Sequence, residues 1–345
     1  MPPRALATPL AALATVAAAL VLGAAGCALG GEERPAPPAP RIPYPPTAAE
    51  PARSPVPASR PAGRVVRVGN GPEGLAADPR TGLVAVGLRE PAELALVDGA
   101  TGRVRRRVPL PGAPRHLELA RPGGPVLVPA EDADALVAVA LPGGATRATR
   151  VGDQPHDAAR LGGRDFAVDE LGSTLSAVRD GRLVGRTRVD VQPGGVAAAG
   201  YALAVISVQA YTVELYDPRT LEGGGSKQAG LGPTHVAADA AGRLYVTDTR
   251  GDALIVYATR PRLRWIARLP LRGSPYGLAL DPRGGRVWVT LTARNELVEV
   301  AGGDRPRRLR TLPTVRQPNS LAVDPVTGRV AVASRTDGTL QLVDP

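Results

Sequence analysis

The sequence predicts an all-β fold, a seven-bladed β-propeller built from four-stranded antiparallel blades. Three observations carry that reading. First, a proline followed by a short strand of small residues returns seven times, at Pro72, Pro114, Pro155, Pro193, Pro233, Pro275 and Pro318. The successive differences are 42, 41, 38, 40, 42 and 43 residues, a period that marks a repeat architecture. Second, each unit reads as short alternating strands divided by turns, and no segment shows a helical period with caps. Third, the final unit stops at Leu342-Val343-Asp344, one strand short, while an unassigned strand precedes the first proline.

The elements follow in chain order. Residues 1–26 read as a secretory signal, with Arg4 as a positive start and an apolar run from Ala5 to Leu22. The run ends in Ala24-Ala25-Gly26-Cys27, which resembles the lipobox of bacterial lipoproteins. That resemblance implies lipidation of Cys27, a membrane attachment through the lipid, and a location outside the cytoplasm at the cell envelope. Cys27 is the only cysteine, so no intramolecular disulfide can form. Residues 27–62 hold ten prolines between Ala28 and Arg60 and no apolar periodicity, the composition of an extended stalk.

Residues 63–345 are assigned to the propeller. Gly63 to Gly69 (GRVVRVG) is expected to supply the missing strand of the seventh blade and close the ring, which hides sheet edges. Each unit opens on its innermost strand, where wedge-shaped blades converge and space is least. Gly74, Ala76, Ala77, Gly195, Ala197, Ala237, Gly277 and Ala322 fall there. A turn such as Asp78-Pro79-Arg80-Thr81-Gly82 or Asp281-Pro282-Arg283-Gly284-Gly285 follows, with Asp to open it, Pro to preset φ and Gly to close it. Leu75, Leu117, Val196, Val236, Leu278 and Leu321 recur where blades should pack on one another.

These features resemble the YVTN/YncE-like seven-bladed propellers, with a more distant likeness to NHL-type repeats. The resemblance covers residues 64–345 and implies architecture far more than activity.

The face carrying the strand-entry loops is the default binding surface of such a ring. The candidate ligand-binding residues there are His116, His156, Asp157, His235, Tyr276, Asn319, Glu131, Asp169, Asp248 and Arg294. The three histidines are the only ones in the chain. His116 and His235 occupy one repeat slot in blades 2 and 5, across the ring from each other, and His156 sits one position earlier in its unit. The spacing therefore predicts that the three do not converge, and neither a metal site nor a cofactor is expected. No catalytic set stands out, and the common nucleophile, phosphate-loop and zinc-helix motifs are absent.

The formal net charge is +10 with aromatics at only 3%. Export and the scarcity of stacking side chains argue against nucleic acid. The leading expectation is a monomeric, lipid-anchored binding module whose partner is an envelope protein, a polymer or a small polar ligand. A propeller enzyme of the lyase or lactonase type, with histidines near the channel as in virginiamycin-B-lyase-like propellers, is the alternative. A scaffold without a small ligand is the third reading.

Overall fold

The computed structural model describes residues 47–344. The signal segment, Cys27 and the earlier stretch of the Pro-rich region lie outside the described residues. Twenty-eight strands, β1 to β28 in chain order, form seven four-stranded antiparallel sheets. The innermost strands are β2 (Asn70–Asp78), β6 (Glu118–Leu119), β10 (Pro155–Leu161), β14 (Pro193–Ala198), β18 (Pro233–Ala238), β22 (Pro275–Asp281) and β26 (Pro318–Val323). In six sheets the four strands are consecutive. The seventh takes β26, β27 (Val330–Ser334) and β28 (Thr339–Val343) from the C-terminal end and β1 (Arg64–Arg67) from the other. Arg64 to Arg67 pair antiparallel with Leu342 to Thr339, so the ring closes as the missing strand required. Gly63 turns the chain into β1 at φ +70, where a Cβ would lie 2.1 Å from the Leu342 carbonyl oxygen.

Apolar residues seal the interfaces between blades. Leu75 shares a core cluster with Ala331, Ala333 and Leu340 of blade 7, and Leu117 shares one with Leu94 and Leu96 of blade 1. Val196, Val236, Leu278 and Leu321 reach back to the preceding blade in the same way. The repeated large residue after the slot is therefore the wedge contact. The alternate residue, Ala in most blades, faces the following blade, as Ala76 and Ala322 do. Among the described residues only Glu131–Ala133 is helical, a single 3₁₀ turn. Among the described residues no helix is long and apolar enough to cross a membrane.

The described end of the Pro-rich segment does not stand away from the ring. Residues 47–61 form a strap along the loop face over blades 4 to 7. The Thr47 N–H donates to the Tyr211 hydroxyl at 3.2 Å, Ala52 N–H to Ser274 Oγ at 3.1 Å and Ser54 N–H to Gln317 Oε1 at 2.9 Å. Asn295 Nδ2 donates to the Pro55 carbonyl at 2.9 Å, and Arg250 reaches the carbonyls of Thr47 and Ala48. Proline-rich chain has few donors of its own. The ring's side chains supply most of them.

Candidate functional site

Each strand-entry loop meets its inner strand at the anchor proline, and the register shifts there. In blade 3 the shift lies between Pro155 and Asp157, in blade 5 between Pro233 and His235. A bulge breaks strict alternation, so parity along the strand no longer decides which way a side chain leaves. His156 consequently turns toward the axis. The histidines converge, against the expectation from spacing. His116 and His235 stack with ring centroids 4.5 Å apart, and His156 meets His116 edge-on at 4.8 Å. Tyr276 closes on His235 at 4.6 Å, also edge-on. The physical reason is the emptiness of the neighbouring slots. Gly74, Gly195 and Gly277 place no side chain in the channel, so two imidazoles from opposite sides meet across it.

Beside the histidines lies a network of paired charges from blades 1, 2, 3 and 7. Glu73 is 5% exposed and sits 3.3 Å from Arg115 Nη1 and 3.1 Å from Arg335 Nε. Glu131 accepts from Arg89 Nη2 at 2.7 Å and lies 2.9 Å from Arg115 Nε. Burial opposes the charge on Glu73, but Arg115, Arg335 and Arg89 outweigh it and hold the carboxyl below its ordinary range. Burial pushes Glu131 up, with Arg115 and Arg89 pulling the other way. Arg115 can enter because blade 1 yields to it. At Gly74, φ +79, a Cβ would stand 1.9 Å from the Arg115 carbonyl oxygen.

His156 links this network to a second acid. Its Nδ1 is 2.5 Å from Glu170 Oε2, and Glu170 Oε1 accepts from Gln192 Nε2 at 2.8 Å. Burial, with Arg115 nearby, drives the His156 pKa down to about 4 despite Glu170. The imidazole is thus neutral at pH 7 and donates its Nδ1 proton to the carboxylate, leaving Nε2 to face Arg115 Nη2 at 3.3 Å. Burial works against ionisation of Glu170, yet the His156 hydrogen bond helps bring it to about 2. His235 is driven well below its ordinary value by burial and the neighbouring His116, His156 and Arg115. Its buried Nδ1 has no hydrogen-bond partner among the described residues.

The remaining candidates divide in two. Asp157 belongs to the site: it accepts from Val196 N–H at 3.0 Å and Ala158 N–H at 2.8 Å, and lies 3.7 Å from His116 Nδ1. Asn319 is buried at the entrance and accepts from Gln317, the residue that also grips the strap. Asp169, Asp248 and Arg294 are not drawn to the centre. Asp169 accepts from the hydroxyls of Thr174 and Ser176. Asp248 accepts from the N–H groups of Leu231, Gly232 and Gly251. Both acids latch loops at the end of the second strand. Arg294 pairs with Glu296 at the exposed rim.

Beneath the histidine tier runs a chamber of about 360 Å³ lined by the inner strands. Its wall holds a residue that repeat reading passed over, Glu118. Four positions after each anchor proline stand Ala76, Ala159, Ala197, Ala237, Ala279 and Ala322, and in blade 2 alone a glutamate. That alignment was the available signal. Glu118 keeps some of its surface against the chamber but sits deep in the ring. Burial pushes its carboxyl up to about 8, with the Asp157 charge adding.

Donor atoms of Glu131, His156 and Glu170 lie within 4.8 Å of one another, the one such triad among the described residues. Each of these carboxylates already holds a guanidinium, an imidazole or an amide, so the cluster is satisfied by its own side chains.

No protein family matches the chain at the level of sequence, and no curated protein does either. Solved structures do. Hydrazine synthase from Kuenenia stuttgartiensis aligns at TM-score 0.69 and 14% identity, over 81% of this chain and 97% of that one. Virginiamycin B lyase from Staphylococcus aureus aligns at 0.68 and 12%, over 82% and 99%. The Cps50 (Swd1) β-propeller domain of Myceliophteria thermophila aligns at 0.70 and 15%, over 82% and 99%. Likeness at these identities establishes the class, a seven-bladed propeller, and that class hosts lyase, synthase and scaffold-type proteins alike.

Proposed function

We propose that the protein is a lipid-anchored propeller of the cell envelope that binds a partner or polar ligand at its channel mouth. The observation that carries this is the meeting of His116, His156, His235 and Tyr276 at the channel axis, beside fully paired arginines and glutamates. A ring needs none of these aromatic polar groups to fold, since Gly74, Gly195, Gly277 and Ser320 fill the slot of His116 and His235 in other blades, and Gly194 and Thr234 fill that of His156 and Tyr276. A satisfied polar network holds its side chains rigidly, and convergent polar groups at a concave mouth are the usual make-up of a ligand site. The lipobox-like Ala24-Ala25-Gly26-Cys27 supports the anchor. The test places a photocrosslinker at Leu171, exposed beside Glu170, and at Val326, exposed in an Asp-Pro turn. Irradiated intact envelopes should give a specific adduct from the Leu171 position, lost with His235→Ala. Equal adducts from both positions, or no effect of the substitution, would sink the reading. Cys27→Ala should move the protein from the detergent phase to the aqueous one.

One observation favours a second reading, an enzyme of lyase type. His156 and Glu170 form a neutral-imidazole and carboxylate pair, the arrangement that orients a general base. A histidine-to-alanine form of virginiamycin B lyase is catalytically inactive and has been seen with quinupristin. Lactone and ester panels with wild type and His156→Ala decide between the readings, since only an enzyme loses turnover.

A further inference from the structure

We propose that the chamber beneath the histidine tier binds a small organic monocation, its ammonium group paired with Glu118 and its apolar body against the alanine-rich wall. This goes beyond a partner at the mouth, because it rests on Glu118 and the alanine-rich wall, with His116, His235 and Asp157 bordering both. The mouth acids Glu73, Glu131 and Glu170 are each matched by a cation or a donor. Glu118 differs, for its side chain makes no hydrogen bond and no ion pair among the described residues. A half-buried carboxyl deep in the ring has lost much of its water with no protein partner in exchange, and an alanine at the same place serves six other blades.

The chamber's chemistry selects the ligand. Among the described residues no arginine or lysine lines it, and its polar side chains are Glu118, Asp157, His116, His235 and Ser320. Two acids and a neutral His235 make a lumen rich in acceptors and without arginine or lysine. An anion is repelled there. A divalent metal ion would need three converging donors, and the one such triad among the described residues lies at the mouth and excludes Glu118. An ammonium or amidinium group supplies the missing positive charge and several N–H donors at once. The rest of the wall is Ala, Gly, Leu and Val. About 360 Å³ is at the small end of the roughly 300–1,000 Å³ range of ligand sites. Burial keeps the proton on Glu118 up to about pH 8, so the unliganded chamber holds a neutral carboxyl and a cation binds by displacing that proton, more tightly as pH rises.

The test uses the full-length protein with benzylamine, n-butylamine and tetramethylammonium as cations, and benzyl alcohol and benzoate as neutral and anionic shapes. Calorimetric or NMR titration should show at least one of these cations binding at least tenfold more tightly than benzyl alcohol, with benzoate weakest. Glu118→Ala matches the residue in the other blades, and its fold is checked by its melting profile. It should reduce cation affinity at least tenfold, and Glu118→Gln should do the same while keeping the shape. The proposal is overturned if no cation binds, if benzoate or benzyl alcohol binds as well, or if both variants retain full affinity. These titrations contain no envelope partner, so their failure leaves the mouth reading standing.

Discussion

Blades 2 and 5 carry a histidine in the same slot, yet they are built to different standards. Blade 5 is regular: β18 runs six residues, Thr234 precedes His235, and Ala237 follows two places on. Thr234 spends its hydroxyl on Thr247 and Thr249, its own blade's second strand and loop. Blade 2 is broken. Its inner strand keeps two residues, Glu118–Leu119, with an isolated bridge at Pro114, and the His116 N–H goes to the His156 carbonyl of the next blade. Arg115 stands where Thr234 does, and Glu118 where Ala237 does. The comparison shows where local regularity was given up, and the residues that replaced it are charged, buried and aimed inward. Departures of this kind concentrate at functional positions.

The largest test of that contrast is the pair Arg115→Ala and Thr234→Ala. Removing Arg115 strips Glu73 and Glu131 of a buried partner and should cost about 3–5 kcal/mol. Removing the Thr234 hydroxyl should cost about 1 kcal/mol. Chemical denaturation measures both, and equal losses would erase the distinction between the blades. Next comes Glu118→Ala read against pH. The folded carboxyl titrates at about 8 against an ordinary 4.5, so the folded state holds its proton more tightly than the unfolded chain. Stability therefore falls as pH rises from about 4.5 to 8. The variant should remove that fall, gaining about 2–4 kcal/mol at pH 9 relative to its effect at pH 4.5. A parallel pair of stability-pH curves would contradict the assignment.

The smallest effect concerns acid. His156 titrates at about 4 in the fold against an ordinary 6.5, so the unfolded chain binds the proton first. Stability from this group is full above pH 6.5 and declines toward pH 4, by about 2 kcal/mol at pH 5. His235, also held neutral, adds to the decline. His235→Phe keeps an aromatic in the stack and should shrink the acid loss. An unchanged slope would show that blade 5's histidine carries none of it.

Much of the ring was legible in the sequence, because seven prolines near a forty-residue period fix seven blades and the short last unit demands β1. The site was legible only as a neighbourhood. Asp169 and Asp248 looked like ligands because polar residues at loop ends are, in sequence, indistinguishable from latches. The histidines looked dispersed because blade number measures angle around the ring and not distance across a narrow channel. The bulges at the anchors, which re-aim His156, leave no mark in composition. Glu118 was visible in the aligned repeats, but only as an exception within an alanine column.

The strap also has a mechanical consequence. The same stretch of chain lies across blades 4 to 7 and then becomes β1, the clasp of the ring. A pull on the chain ahead of Thr47 meets the strap's scattered hydrogen bonds first, and these can give way in succession like stitches in a seam. Only after Ser54 and Pro55 have lifted does tension arrive at Arg64. The propeller thus carries its own strain relief, and slack taken from the strap is spent before the ring is asked to open.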